Sequence, residues 1–432
     1  MISYFLYAAV LLAYLPGVVA LCIWRKCWHF PLMCFAFLGM LFFNAIGSIS
    51  VFGADKLYLL DFDTADVAVE LALVLAFQVL MFYLVAGAYL AWRPIVRMTP
   101  VADGNDRSLL LIGMAIIALL GAMYYAETGT FLILQFLNGS MNMENALQFR
   151  EQYVYGLKWW SLYNVGFFFL PLFLSGYALI LLQVDRRQVW FVCMTLVVSL
   201  GSYITLGSKS GFLVFVLSFS VAYLTYFGMV GGVATEFLRF RKFWTFVGMS
   251  LVLLYIGYDR AMQGGVSPTS FAQQIWYRVF VTYPETLAGA LSYFHDFGAL
   301  GVSVLPTMRG LLSHEQISLS VELHRYIAGA PGGVSVPFAG EVFLIGGWLA
   351  LLVVVPMVFA AVIVLQEVSF LAPGRVAAIA FSALYAYLAL NISMNGMFAS
   401  LLTFMYPGVI LLLLTIHLGL YGLRSGWRRL RA

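Results

Sequence analysis

Charge is what this sequence has least of: Asp, Glu, Lys and Arg together make up 10% of its 432 residues, where ordinary soluble domains carry about 25%. Hydrophobic residues make up 63%, more than a water-soluble fold could bury, so a soluble enzyme or binding module is excluded. The chain has few cysteines, at positions 22, 27, 34 and 193, and each sits in or beside an apolar run. We expect no disulfide, and Cys22 with Cys27 lacks the partners of a zinc site. There is no repeat, no heptad run, no low-complexity segment and no pair of matched broken helices of the inverted-repeat kind.

What is present in quantity is apolar sequence of membrane-crossing length. Stretches such as Val67 to Trp92 and Phe338 to Leu365 exceed the roughly 20 residues needed to cross a ~30 Å hydrocarbon core. In lipid every backbone donor and acceptor must be satisfied within the protein, which leaves helices or a closed barrel, and the alternating segments of about ten residues that mark a barrel are missing. The expected fold is therefore all-α, a polytopic membrane bundle of about eleven spans near 2–24, 30–52, 67–92, 108–126, 159–183, 189–207, 211–230, 243–262, 338–366, 375–395 and 397–423. One membrane domain, 1–432, is the simplest organisation.

Lys and Arg accumulate in cytoplasmic loops. Fifteen of the 23 basic residues fall on one side of the alternating assignment: Arg25, Lys26, Arg93, Arg97, Arg107, Arg186, Arg187, Arg239, Arg241, Lys242, Arg375, Arg424, Arg428, Arg429 and Arg431. That side is read as cytoplasmic, with the C-terminus inside and an uncleaved first span whose N-terminus is outside. The formal net charge of +4 thus reflects topology and is no sign of nucleic-acid binding. Two long loops, 127–158 and 263–337, fall outside. The second has turn signals at Gly264-Gly265, Val266-Ser267-Pro268, Leu305-Pro306 and Ala330-Pro331-Gly332-Gly333, and is expected to hold short helices packed on the bundle. Within it Ile317, Leu319, Val321 and Leu323 alternate with period two, a half-buried strand pattern.

The outer side is net negative, so an anion would be held there only by gathering particular cations into a pocket. Lys209, in Gly207-Ser208-Lys209-Ser210-Gly211, occupies a tight turn whose small residues would let a phosphate approach backbone amides and ammonium together. It is not a Walker loop, because Tyr203 and Ser208 stand at the two glycine positions; a snorkelling lysine on a helix hairpin is the plainer reading. Asp259 and Arg260 end a span and open the large loop, where a salt-bridged helix end is the alternative. Arg278 lies in the aromatic stretch Trp276 to Glu285, and Trp276, Tyr277 and Tyr283 suit either an interfacial belt or sugar stacking. Arg150 precedes the fifth span. Glu341, at the start of a long apolar helix, suits a general base or a complement to the helix dipole. His295, His314 and His324 lie in the large loop without metal-ligand spacing.

The order of these features resembles the Wzy-type polysaccharide repeat-unit polymerases, the O-antigen and enterobacterial common antigen polymerases among them. The likeness rests on Gly207 to Gly211 between two spans, Tyr258-Asp259-Arg260 at a span end, the large outer loop, and the Pro337 to Gly347 stretch, similar to a Gly-Glu…Gly pattern entering a helix. Lys209 departs from the commoner Arg. The resemblance implies a GT-C-like bundle with a large periplasmic loop. Its activity would be that of a metal-independent glycosyltransferase without cofactor, at the periplasmic face of a bacterial inner membrane. There it would move a growing glycan from undecaprenyl diphosphate onto a new lipid-linked repeat unit. The substrates are then undecaprenyl-diphosphate-linked oligosaccharides, and a chain-length regulator and flippase are pathway partners. Lys209, Arg260, Arg278 and Arg150, then Arg309 and Arg325, are assigned to the diphosphate, and Glu341, His324 or Glu285 to the base. An O-antigen ligase-like transferase and a lipid or oligosaccharide transporter are the alternatives.

Overall fold

A computed structural model describes residues 2–53, 65–95, 99–100, 104–131, 170–205, 210–231, 267–301, 319–329, 334–372 and 374–395, with single positions between 163–167 and 245–255. Among them every regular element is helical. Helices Tyr4–Ile23, Pro31–Phe52, Val67–Trp92, Asp106–Thr128, Phe338–Phe370 and Arg375–Met394 are long and apolar enough to cross a membrane, and Leu170–Val184 and Val216–Gly231 are shorter apolar helices. The expected spans 243–262 and 397–423 and most of the loop 127–158 lie outside the described residues.

The chain forms two compact units, Met1–Val96 with Thr269–Glu367 and Tyr385–Phe404, and Arg97–Pro268 with Val368–Leu384 and Met405–Ala432. In the first unit α1 (Ile2–Ile23) contains Pro16, which has no N–H for the helix ladder. One residue on, the Tyr83 hydroxyl enters that ladder, accepting from the Gly17 N–H at 3.0 Å and donating to the Ala13 carbonyl at 3.0 Å. Tyr83 belongs to α4 (Ala65–Trp92), whereas α2 (Pro31–Gly39) runs into a π segment Met40–Ile46 and a last turn, α3 (Ile49–Gly53). Phe37 joins these helices through its ring contacts with Tyr14 and Phe82, at 5.9 and 5.8 Å.

The second unit packs α5 (Gly104–Thr128) against α6 (Leu170–Val184), with α7 (Val189–Thr205) and α8 (Ser210–Gly231) around α6. Small residues set the distances. A methyl group on Gly113 would lie 2.5 Å from Leu174, and one on Gly176 would touch Ala222 at 3.3 Å. Tyr163 donates to Glu127 at 2.7 Å inside an aromatic cluster with Tyr124 and Phe167.

The described parts of the large loop hold helices, as expected, and correct the reading in one place. Helix α9 (Pro268–Trp276) continues through a π turn, Tyr277–Val281, into α10 (Thr282–Phe297), of which Tyr283 to Leu291 are buried. Short helices thus pack on the bundle through α10, whereas α9 buries only Phe271. The correction is to the strand pattern. Leu319 to Leu323 are the first turns of α11 (Leu319–Ala328), with Leu319, Leu323 and Ile327 buried four residues apart, the spacing of one helix face. Ile317 lies outside the described residues.

A reversal inside an apolar run

Helix α12 (Phe338–Phe370) reads as one long span, and it is not one. At Gly346 φ and ψ are −167° and 27°, and at Gly347 they are 60° and −146°. The ring of Phe338 lies 6.1 Å from that of Phe359; at 1.5 Å per residue a straight helix would hold them about 31 Å apart. The chain therefore turns back at the two glycines. Residues 338–345 form a half-helix lying alongside the longer limb.

That longer limb runs parallel to α4. Trp348 meets Glu70 and Phe77 at one end, Phe359 meets Phe82 midway, and Glu367 meets Tyr89 and Arg93 at the other. Leu349, Leu352, Val353, Met357 and Val364 form its exposed apolar stripe, whereas Phe338 to Leu344 are buried on all sides. An exposed stripe facing lipid and a half-helix enclosed by protein fit the rule that irregular backbone at membrane depth is sheltered from lipid. The carbonyl of Leu344, which would accept from Trp348 in an unbroken helix, instead takes the Leu300 N–H at 2.8 Å. Gly340 lets the half-helix approach α10: a methyl group there would sit 3.3 Å from Ala290 and from Leu287.

Candidate functional site

The break decides which side chains meet. Glu70, in the first turns of α4, is a carboxylate in a run of apolar residues, where an unpaired charge is costly. Both of its oxygens are engaged: Oε1 accepts from the Trp348 indole N–H at 2.9 Å, and Oε2 lies 2.6 Å from His295 Nε2. Trp348 is there because the chain has just turned, and His295 because α10 ends at Phe297, where Gly298 takes a positive φ of 77°. The carboxylate is 16% exposed and the imidazole 55%. A sheltered acid thus holds an imidazole that faces outward. His295 Nδ1 makes no hydrogen bond to any described residue.

The end of α10 is braced from the far side by α11. The Tyr326 hydroxyl donates to Asp296 Oδ2 at 2.6 Å and lies 2.8 Å from Ser292 Oγ, while the Tyr326 ring meets Tyr293 and Phe297. Burial, and then the hydrogen bond to Asp296, push the Tyr326 phenol above its ordinary range, which keeps it a donor.

Of the residues assigned from sequence, Glu341 sits in the first turn of the half-helix and Glu285 in the first turn of α10, both buried. Glu285 is about 15 Å along α10 from His295, so that acid and the imidazole are not one cluster. His324 is half-buried on α11. Arg325, beside it, is exposed and pairs with Glu322 at 3.3 Å. Tyr283 offers no open face for a sugar, because its buried ring packs edge-on against Phe43 at 5.5 Å. Trp276 is exposed and packs against Phe280, and the Tyr277 hydroxyl accepts from Gln273 at 3.3 Å. The backbone of Arg278 lies in the π turn. Lys209, Arg260, Arg150 and Arg309 lie outside the described residues.

Sequence reasoning missed Glu70 and Trp348, and it considered His295 only as a metal ligand. The available signal was Glu70 itself, an acid inside a span. Among the described residues no group of three or more His, Cys, Asp and Glu is placed to hold a metal. No family model, curated protein or solved structure matches the chain. Its helices define the class, a helical membrane-embedded protein.

Proposed function

We propose that this protein polymerises undecaprenyl-diphosphate-linked oligosaccharide repeat units of an O-antigen or related surface polysaccharide, at the periplasmic face of a bacterial inner membrane. The growing glycan passes from its lipid carrier to the terminal sugar of a new lipid-linked repeat, and undecaprenyl diphosphate leaves. The observation that supports this most is the folding of the Pro337 to Gly347 stretch, one of the segments that carry the family resemblance. It folds as a half-helix that turns back at Gly346 and Gly347, beside an acid and an imidazole. The periplasmic face is the one opposite the basic loops, and the large loop with its cations belongs to it. Lys209, Arg260, Arg278 and Arg150, with Arg309 and Arg325 behind them, take up charge on the departing diphosphate.

Deleting the gene tests the reading. A polymerase mutant leaves surface lipid with one repeat unit, and a ligase mutant leaves none. Restoring Lys209→Ala or Arg260→Ala should give no long chains, whereas Lys209→Arg should give them, because a guanidinium is the better diphosphate fork. Normal polymer from both alanine variants removes those residues from the mechanism.

The enclosed half-helix also favours a second reading, a lipid or oligosaccharide transporter, since discontinuous helices line many transport sites. In that case the deletion strain would hold intact repeat units stranded on the cytoplasmic leaflet.

A further inference from the structure

We infer that His295, held by Glu70, is the general base that takes the proton from the acceptor hydroxyl. The inference rests on the glycosyl-transfer reading and replaces Glu341, His324 and Glu285 as the first choice of base. A carboxylate only accepts hydrogen bonds, so the 2.6 Å contact with Glu70 Oε2 puts the ring proton on His295 Nε2 and leaves the Nδ1 lone pair outward. Glu70 is itself fixed by the Trp348 indole at its other oxygen, so acid, ring plane and tautomer are set together, the arrangement by which a third group orients a catalytic imidazole. Glu341 and Glu285 are sealed inside the helices, 8% and 0% exposed, whereas the His295 side chain is 55% exposed and can meet a sugar.

In the step proposed, the acceptor oxygen bonds to the anomeric carbon of the donor glycan as the bond from that carbon to the diphosphate oxygen breaks. The electron pair leaves with undecaprenyl diphosphate, and the hydroxyl proton passes to His295 Nδ1. Glu70 offsets the positive charge gained by the ring. Glu70 and Trp348 are positioning residues: neither reaches the sugar, and both act through the imidazole.

The test uses the full-length protein in liposomes with an undecaprenyl-diphosphate-linked repeat unit, reading product length and initial rate. His295→Ala and His295→Gln should lower kcat roughly 10²- to 10⁴-fold, the usual worth of a positioned base, with KM for the lipid substrate unchanged. Added imidazole should restore part of the rate in His295→Ala. Glu70→Gln and Trp348→Phe should lower kcat by smaller factors and remain beyond rescue by imidazole. Thermal unfolding of each variant should stay near that of the parent. Long chains made by His295→Ala at the parent rate overturn the base assignment and leave the polymerase reading intact. A parent protein that makes no polymer overturns both. Loss of rate matched by loss of fold in both His295 variants, without rescue, assigns the pair to structure and overturns the inference.

Discussion

Replacing Gly347 by alanine should cost more than any other single methyl group added to α12, and the reasons are local. Gly347 has φ 60° and ψ −146°, a region that side chains all but forbid, at about 1–3 kcal/mol for a forced occupant. The new Cβ would also stand 2.9 Å from Cζ of Phe294. That ring cannot swing away freely, because it packs against Phe343 at 4.9 Å, and overpacking of this kind costs about 1–3 kcal/mol more. The expected loss is therefore about 2–6 kcal/mol, read as a lowered thermal midpoint of the purified protein in detergent. Two neighbours calibrate it. Gly346 has an extended φ of −167°, and its added methyl would meet Ala350 Cβ at 3.3 Å, so Gly346→Ala should lose about 1 kcal/mol or less. Gly87 is helical with nothing within 4 Å, and Gly87→Ala should be neutral or stabilising by up to about 1 kcal/mol. A Gly347→Ala protein as stable as Gly87→Ala would refute the reversal.

Two further perturbations address the scaffold. Tyr83→Phe removes the hydroxyl that accepts from Gly17 and donates to Ala13, leaving both backbone groups short of a partner; unfolding should show a loss of about 1–3 kcal/mol, and an unchanged midpoint would mean that the helix closes its own ladder there. Leu323→Ala removes a side chain that is 1% exposed from the face α11 turns inward, at about 2–5 kcal/mol; limited proteolysis should then cut within 319–329 faster than in the parent, and equal rates would contradict the docking.

Hydropathy alone finds the long apolar helices among the described residues, because an apolar run longer than the bilayer is thick has few other uses, and α1, α4 and α5 lie within a few residues of where the sequence puts them. Direction is another matter. Phe338 to Phe370 is apolar enough to pass as one span, and hydropathy is blind to a chain that doubles back, so Gly346-Gly347 was the only mark of the turn. At 319–323 the window is too short to separate periods, since positions i and i+4 share a face in both helix and strand; Arg325 decides for the helix, because a strand would place it on the face of Leu323 and Ile327 and it is exposed. The run Pro268 to Phe297 is too polar to register as a span, yet its residues Tyr283 to Leu291 are buried. The Glu70, His295 and Trp348 cluster joins residues 225 and 278 positions apart, and such distance leaves no trace in local pattern. What an isolated sequence does offer is the misplaced charge: an acid inside a span needs a partner, and Glu70 has two.

The arrangement of the site follows from the turn at Gly346-Gly347, and one pair of positions reports it. Cysteines placed at 338 and 359, with Cys22, Cys27, Cys34 and Cys193 replaced, should be joined in native membranes by a bifunctional thiol reagent too short to span a straight helix, since the native rings lie 6.1 Å apart. Failure to cross-link, together with a spin-label separation near the ~31 Å of a straight helix, would contradict the half-helix and the site built on it.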